Sequence, residues 1–193
     1  IVGLLEKIGV DKSKIEDVIV GCAFPEAEQG FNLGRMVTFL ADLPSQVSGV
    51  TVNRFCGSSM QAIHDAAGRI AMGAGDAFIC GGVESMTRIP MSGFNPLPNP
   101  RLATEMPEVF TNMGLTAENL ASLYEISRED QQSFAIESHN RAVSATTANN
   151  FSSSIIPIET ESGIVSEDGC IRGNTNQETL NKLRPAFLTD GSV

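Results

Sequence analysis

The chain has 193 residues, with 13 basic and 23 acidic side chains, a formal net charge of −10, and 41% hydrophobic residues. That hydrophobic share can bury a core and excludes a disordered chain, while the acidic balance excludes a nucleic-acid binder, which needs clustered Lys and Arg. No apolar run approaches the ~18 residues of a membrane span, and a charged fraction of 19%, under the usual ~25%, predicts that much of the surface is covered.

The sequence opens at Ile1 rather than Met, and Ile1–Gly9 reads as the tail of an amphipathic helix, with Ile1, Leu4, Leu5 and Ile8 at helical spacing. Asp17–Phe24 is a short apolar run with β-branched residues, a strand that can be buried on both faces. Asn32–Asp42 reads as a helix with Leu33, Met36, Val37 and Leu40 on one side and Pro44 stopping it. Gly49–Asn53 is a strand that runs into a helix from Gly57 to about Met72, with Met60, Ile63, Ala67, Ile70 and Ala71 along its apolar face. Ala77–Val83 is the next strand, so strand, helix and strand form a right-handed βαβ unit in a mostly parallel sheet. The fold class is α/β.

Beyond Met86 the composition changes. Ile89–Pro107 holds five of the nine prolines and reads as irregular. Helices follow at Thr116–Tyr124 and at Ser127–Ala148, the second opened by Ser127 with Glu129 and Asp130 in its first turn. Ser154–Glu159 reads as an edge strand, because Pro157 cannot donate to a ladder, and a short helix is expected around Glu178–Leu183. The expected domains are residues 1–88, a core incomplete at its start, and residues 89–193, an inserted α-rich domain. The closing Leu188–Val193 carries an Asp-Gly turn before what reads as the first residue of a strand. Both ends are expected to cut through structure, in a piece of a larger protein. A reducing cytoplasm is the default compartment, with organellar targeting left open by the missing start.

Cys22, Cys56, Cys80 and Cys170 are too scattered for a disulfide framework, and without a CxxC pair and with two histidines no metal site is expected. Cys56 is the residue that carries chemistry. It sits where the strand Gly49–Asn53 turns into a helix, and a thiol there faces unpaired backbone N–H groups and the positive end of the dipole. Gly57, Ser58 and Ser59 keep its surroundings small, so a carbonyl can approach and find the Cys56 N–H as oxyanion donor. By position alone, a buried structural cysteine is an equal alternative.

The segments VNRFCGSSMQAIHDAAGRI (Val52–Ile70), GGVESM (Gly81–Met86), NMGLTAENLA (Asn112–Ala121), SREDQQSFAIESHNRA (Ser127–Ala142) and LRPAF (Leu183–Phe187) resemble, in order and spacing, those of the thiolase family. The CGSSMQA form with MGLTAE looks most like the 3-ketoacyl-CoA thiolases of fatty-acid β-oxidation. The resemblance implies a thiolase-like fold, with a βαβ core of mixed, mostly parallel sheet and an inserted CoA-binding loop domain. It implies that Cys56 accepts an acyl group as a thioester, that CoA and acyl-CoA are substrates, and that no cofactor stays bound. It places Met113 and Phe187 against the pantetheine arm, Asn112 where relatives often have His, and Arg172 near the CoA nucleotide, where a guanidinium can pair with phosphate against the overall −10 charge. Homodimers or tetramers, and a hydratase–dehydrogenase multifunctional partner, are implied likewise.

Each position has a plainer alternative: core packing for Met113 and Phe187, and a solvated charge for Arg172. His64 and His139 read as structural, the former packed or hydrogen-bonded; Cys22 and Cys80 read as core, and Cys170 as reactive by exposure alone. Gly81-Gly82 reads as shaping the core beside the site rather than as a phosphate loop. The family's Gly-His-Pro histidine and its second cysteine have no counterpart here, so the 193-residue polypeptide by itself is expected to be inactive. Two other functions stay open: a biosynthetic acetoacetyl-CoA thiolase running the Claisen condensation, and a thiolase-like lipid carrier or scaffold that has lost catalysis. The ketoacyl synthases, which lack MGLTAE and LRPAF, rank last.

Overall fold

A computed structural model describes residues 1–193, which divide into two units, Ile1–Leu97 and Pro98–Val193. In the first, α1 (Val2–Ile8) leads to β1 (Asp17–Gly21), α2 (Leu33–Leu40), β2 (Ser48–Val52), α3 (Ser58–Ala71) and β3 (Phe78–Gly82). The three strands are parallel in the order β2-β1-β3, with Gly21 opposite both Val52 and Gly82 at their carboxyl ends. The central strand β1 is buried along its whole length, as a run without polar alternation requires. Its alternate side chains feed two layers. Val18 and Val20 join Ile79, Leu5, Ile15, Ala41, Leu43 and Val47 beneath α1 and α2, while Ile19 joins Ala62 and Ala66 of α3 on the other face.

Two helices meet the sheet differently from their apolar pattern. In α3 the buried residues are Ser58, Ala62 and Ala66, and the expected face turns outward: Met60 is 60% exposed, and Ile63, Ala67, Ile70 and Ala71 are exposed too. Small side chains at i, i+4 and i+8 let the helix approach the strands more closely than a row of large ones would. In α2, Leu33 and Val37 do pack against the core, but Gly34 and Thr38 are the buried residues, and Met36 and Leu40 are exposed. A Cβ on Gly34 would strike the backbone of Val50, so the contact with β2 depends on its absence.

The division into units falls at 97/98, beyond the expected 88/89. Ile89 is fully buried, and Glu26 accepts the N–H of Phe94 at 2.8 Å, which ties the residues after β3 into the first unit.

The second unit contains α4 (Pro100–Glu105), α5 (Met113–Leu123), α6 (Arg128–Thr147), β4 (Ile158–Thr160), β5 (Gly163–Val165) and α7 (Gln177–Asn181). The proline-rich stretch is not wholly irregular. Asn99 caps α4 by accepting from the N–H groups of Arg101 and Leu102, and Pro100 occupies the first helical position, where its missing N–H costs nothing. Asn112 caps α5, which begins three residues before the expected start, accepting from Leu115 N–H at 2.9 Å. Ser127 and Asp130 form a reciprocal capping box on α6. Pro157 lies just before a short antiparallel hairpin of β4 and β5, whose second strand the sequence pattern did not reveal. No helix is long and apolar enough to cross a membrane.

Candidate active site

The carboxyl ends of the parallel strands carry the site, as they do in open α/β sheets generally. Beyond Val52 the chain makes a tight turn before α3. The Asn53 carboxamide oxygen accepts Phe55 N–H at 2.9 Å, and Phe55 adopts φ 46°, a left-handed conformation that costs a non-glycine residue roughly 1 kcal/mol or more. Ser58 braces the same turn, its hydroxyl accepting Arg54 N–H at 2.9 Å and donating to Phe55 C=O at 2.6 Å. Cys56 follows Phe55 in a 3-10 turn (Phe55–Gly57) leading directly into α3, and its thiol is exposed. Within this chain Cys56 is therefore not buried, unlike Cys22.

The turn sits close to the sheet because its neighbours are small. A Cβ on Gly21 would lie 2.5 Å from both the Ser58 carbonyl carbon and Ser59 N, and a Cβ on Gly82 would overlap the Ser59 hydroxyl. Of the Gly81-Gly82 pair, Gly82 therefore serves the packing beside the turn, whereas a Cβ on Gly81 would meet nothing within 4 Å.

A second group of residues at this end escaped the sequence pattern. Glu84, just past β3, accepts Ala23 N–H at 2.7 Å, Phe24 N–H at 3.3 Å and the Gln29 amide at 2.8 Å. The Gln29 amide also donates to Phe24 C=O at 2.8 Å, and its carboxamide oxygen accepts Ser85 N–H. Asn53 reaches the same loop, its side-chain N–H donating to Ala23 C=O at 2.9 Å. The available signal was an acidic residue directly after an apolar parallel strand, where ligand-facing groups gather.

The other thiols differ. Cys22 is buried, and burial, with the Glu84 charge adding to it, pushes its pKa up. Burial followed by the Asp65 charge does the same for Cys80, whose thiol donates to Ala62 C=O at 3.3 Å. Cys170 is exposed. His64 is exposed on α3 rather than packed, because the face it occupies turns away from the sheet. His139 is half-buried and accepts Arg172 N–H at 3.2 Å through Nδ1, a structural contact.

In the second unit, Asn112, Met113 and Phe187 come together at the start of α5. The Phe187 ring lies over Gly114, leaving no room for a side chain there, and Met113 is 68% exposed beside it. Within this unit Met113 is thus not part of the core. The Asn112 side-chain oxygen is engaged as the helix cap. Arg128, at the first position of α6, donates to Leu183 C=O at 2.5 Å in the segment leading to Phe187. Arg172 is held eleven residues along α6 from Arg128, about 16 Å of helix, through its backbone contact with His139. Its guanidinium is exposed and has no carboxylate partner. Glu118 of α5 is a further residue missed: its carboxylate gathers Ser192 N–H, Ser192 hydroxyl and Val193 N–H, and these hold its pKa below the ordinary value.

An exposed thiol in the turn that opens a helix, beyond the carboxyl end of a parallel strand, defines an α/β domain with a cysteine at its ligand-facing end. The chain belongs to the thiolase family, whose model "Thiolase, N-terminal domain" matches residues 1–193. It is 44% identical to a 3-ketoacyl-CoA thiolase of Bacillus subtilis (strain 168) over 202 residues, covering 98% of this chain and 52% of that protein. It is 47% identical to a 3-ketoacyl-CoA thiolase of Pseudoalteromonas translucida (strain TAC 125) over 191 residues, covering 96% and 49%. Human mitochondrial 3-ketoacyl-CoA thiolase, solved in complex with CoA, matches the fold with a TM-score of 0.84 at 30% identity, over 99% of this chain and 51% of its own. The chain thus spans about half the length of the curated relatives it matches.

Proposed function

We propose that the chain carries the nucleophile and part of the CoA site of a 3-ketoacyl-CoA thiolase, an acyltransferase that cleaves its substrate with CoA. The exposed Cys56 thiol, set by a braced turn at the start of α3, carries this reading. As thiolate, the Cys56 sulfur adds to the C3 keto carbon, and in this reading its own N–H donates to the resulting oxyanion. Collapse of the adduct breaks the C2–C3 bond. The electron pair leaves on C2 of the acetyl-CoA fragment, which takes up a proton, and the shortened acyl group stays on sulfur. The thiolate of a second CoA then attacks that thioester, releases acyl-CoA and returns Cys56. By the family resemblance, a histidine and a second cysteine outside these residues move the protons.

The placement of the other candidates suits CoA. Met113 and Phe187 offer an exposed apolar pair for a pantetheine arm, with Asn112 beside them. Arg172 offers an unpaired guanidinium for phosphate, about 16 Å along α6 from the Arg128 contact, a spacing that fits the two ends of an elongated ligand. Degradative direction, a homo-oligomeric state and a cytoplasmic setting accompany this reading.

The test is acyl trapping. The complete enzyme, incubated with a 3-ketoacyl-CoA and quenched with acid, is expected to show the acyl mass on the Cys56 peptide, and Cys56→Ala to show none and no turnover. The 193-residue polypeptide alone is expected to give no thiolysis. Acyl mass on another cysteine, or turnover by the fragment, overturns the reading.

A further inference from the structure

We infer that Glu84 is a positioning residue for Cys56, fixing through the loop after β1 the turn that presents the thiol. The inference rests on the reading of Cys56 as nucleophile. Two successive backbone donors, Ala23 N–H and Phe24 N–H, both end on the Glu84 carboxylate, together with the Gln29 amide. Only an acceptor with several lone pairs on two oxygens can take all three, which a carboxylate does and an amide does not.

Each of the two residues so held touches the turn before Cys56 by a separate route. Ala23 C=O accepts the Asn53 side-chain N–H at 2.9 Å, and Asn53 in turn accepts Phe55 N–H at 2.9 Å. The Phe24 ring stands 6.1 Å from the Phe55 ring, tilted at 51°. Both routes converge on Phe55, the residue with φ 46° directly before Cys56. A strained conformation persists only where its surroundings over-determine it. Ser58 supplies one constraint from α3, and the Glu84 loop supplies the other two. Glu84 thus couples β3 to a turn that grows out of β2, across a loop that follows β1.

A residue that merely glued loops together would change stability. A positioning residue changes the rate of the step at sulfur and leaves CoA affinity alone. In the complete enzyme, Glu84→Gln is expected to lower the rate of Cys56 acylation and kcat by about 10- to 100-fold, the scale of a 1 Å misplacement, with the equilibrium Kd for CoA unchanged. Asn53→Ala is expected to fall within the same range. The double variant should lose more than either single one but less than the product of the two losses, because the residues share the Ala23 route while Glu84 also acts through Phe24. Wild-type acylation in folded Glu84→Gln, or losses that multiply in the double variant, overturns the proposal. Should Glu84→Gln not fold, Phe24→Leu decides: slower acylation with an unchanged Kd for CoA supports the proposal, and a wild-type rate overturns it. If wild-type enzyme acylates elsewhere and Cys56→Ala stays active, the reading of Cys56 itself has failed, which is a different result from any of these.

Discussion

Gly21→Ala tests the geometry of the site at its foundation. The new Cβ would lie 2.5 Å from the Ser58 carbonyl carbon and from Ser59 N, and 2.8 Å from Ser58 Cβ. Ordinary carbon contacts settle at about 3.5–4.0 Å, so strand and helix must separate by about 1 Å. No rotamer relieves the clash, since two of the three atoms are backbone. The strand cannot yield easily either, because β1 is paired on both sides and Gly21 C=O also accepts Val83 N–H at 3.0 Å. The helix start must therefore move, and Ser58 takes the Arg54 and Phe55 backbone with it. Overpacking of this kind costs about 1–3 kcal/mol, which lowers Tm by roughly 2–4 °C for each kcal/mol in a domain of this size. A 1 Å shift at the nucleophile slows acylation by about 10²-fold. Thermal melting of the complete enzyme and single-turnover acylation measure the two effects. A variant that melts within about 1 °C of wild type, below the roughly 2 °C that even 1 kcal/mol would give, and acylates at the wild-type rate refutes the reasoning.

The remaining predictions concern charge, capping and thiol chemistry. Hydrogen bonds from Ser192 and Val193 N–H depress the Glu118 pKa below its ordinary 4.5, so the anchor is at full strength above that pH and fades as pH falls through the lower folded value. Hydrogen exchange at Ser192 and Val193 is expected to lose protection only in that acid range, and in Glu118→Gln to be weakly protected at neutral pH; protection that ignores both changes refutes the assignment. Ser127→Ala removes one half of the capping box of α6 and is expected to cost about 0.5–2 kcal/mol, read as a lower denaturant midpoint, with Ser127→Asp recovering most of it. Iodoacetamide at neutral pH is expected to modify Cys56 before Cys22 and Cys80, because burial and nearby carboxylates raise the latter two; peptide mapping that finds either of them labelled first contradicts the geometry.

Hydrophobic runs made the parallel core legible: β1 reads as a doubly buried strand because it has no polar alternation, and β2, α3 and β3 follow it at βαβ spacing. What the pattern misjudged was which side of α3 meets the sheet. Periodicity marks the large apolar side chains, whereas close packing here uses Ser58, Ala62 and Ala66, residues that a hydrophobicity count passes over. The prolines of residues 89–107 hid α4 for a related reason, since Pro100 behind an Asn99 cap starts a helix instead of breaking one. Cys56 was legible because strand-to-helix position is local information. Glu84 and Asn53 were not, because their partners lie 61 and 30 residues away and nothing local announces a bond of that span. Arg172 and Phe187 entered through resemblance alone; the structure gives them exposure and neighbours.

The same sheet holds two thiols that it must keep quiet and presents one that it must expose. Cys80 lies within β3 and Cys22 one residue beyond β1, where apolar packing makes a thiolate costly and each thiol is near an acceptor, the Ala62 carbonyl or the Glu84 carboxylate. Cys56 lies four residues past β2. Those few residues suffice because the chain reverses sharply at Phe55, trading a strained φ for a path out of the apolar layer and onto the start of α3. Position along the chain relative to the strand end, rather than any difference in side-chain chemistry, therefore separates the available thiol from the silent ones. It also explains why the residues that brace the turn carry so much of the site. Asn53 and Ser58 hold Phe55 in its left-handed conformation directly, and Glu84 does so through the loop it fixes.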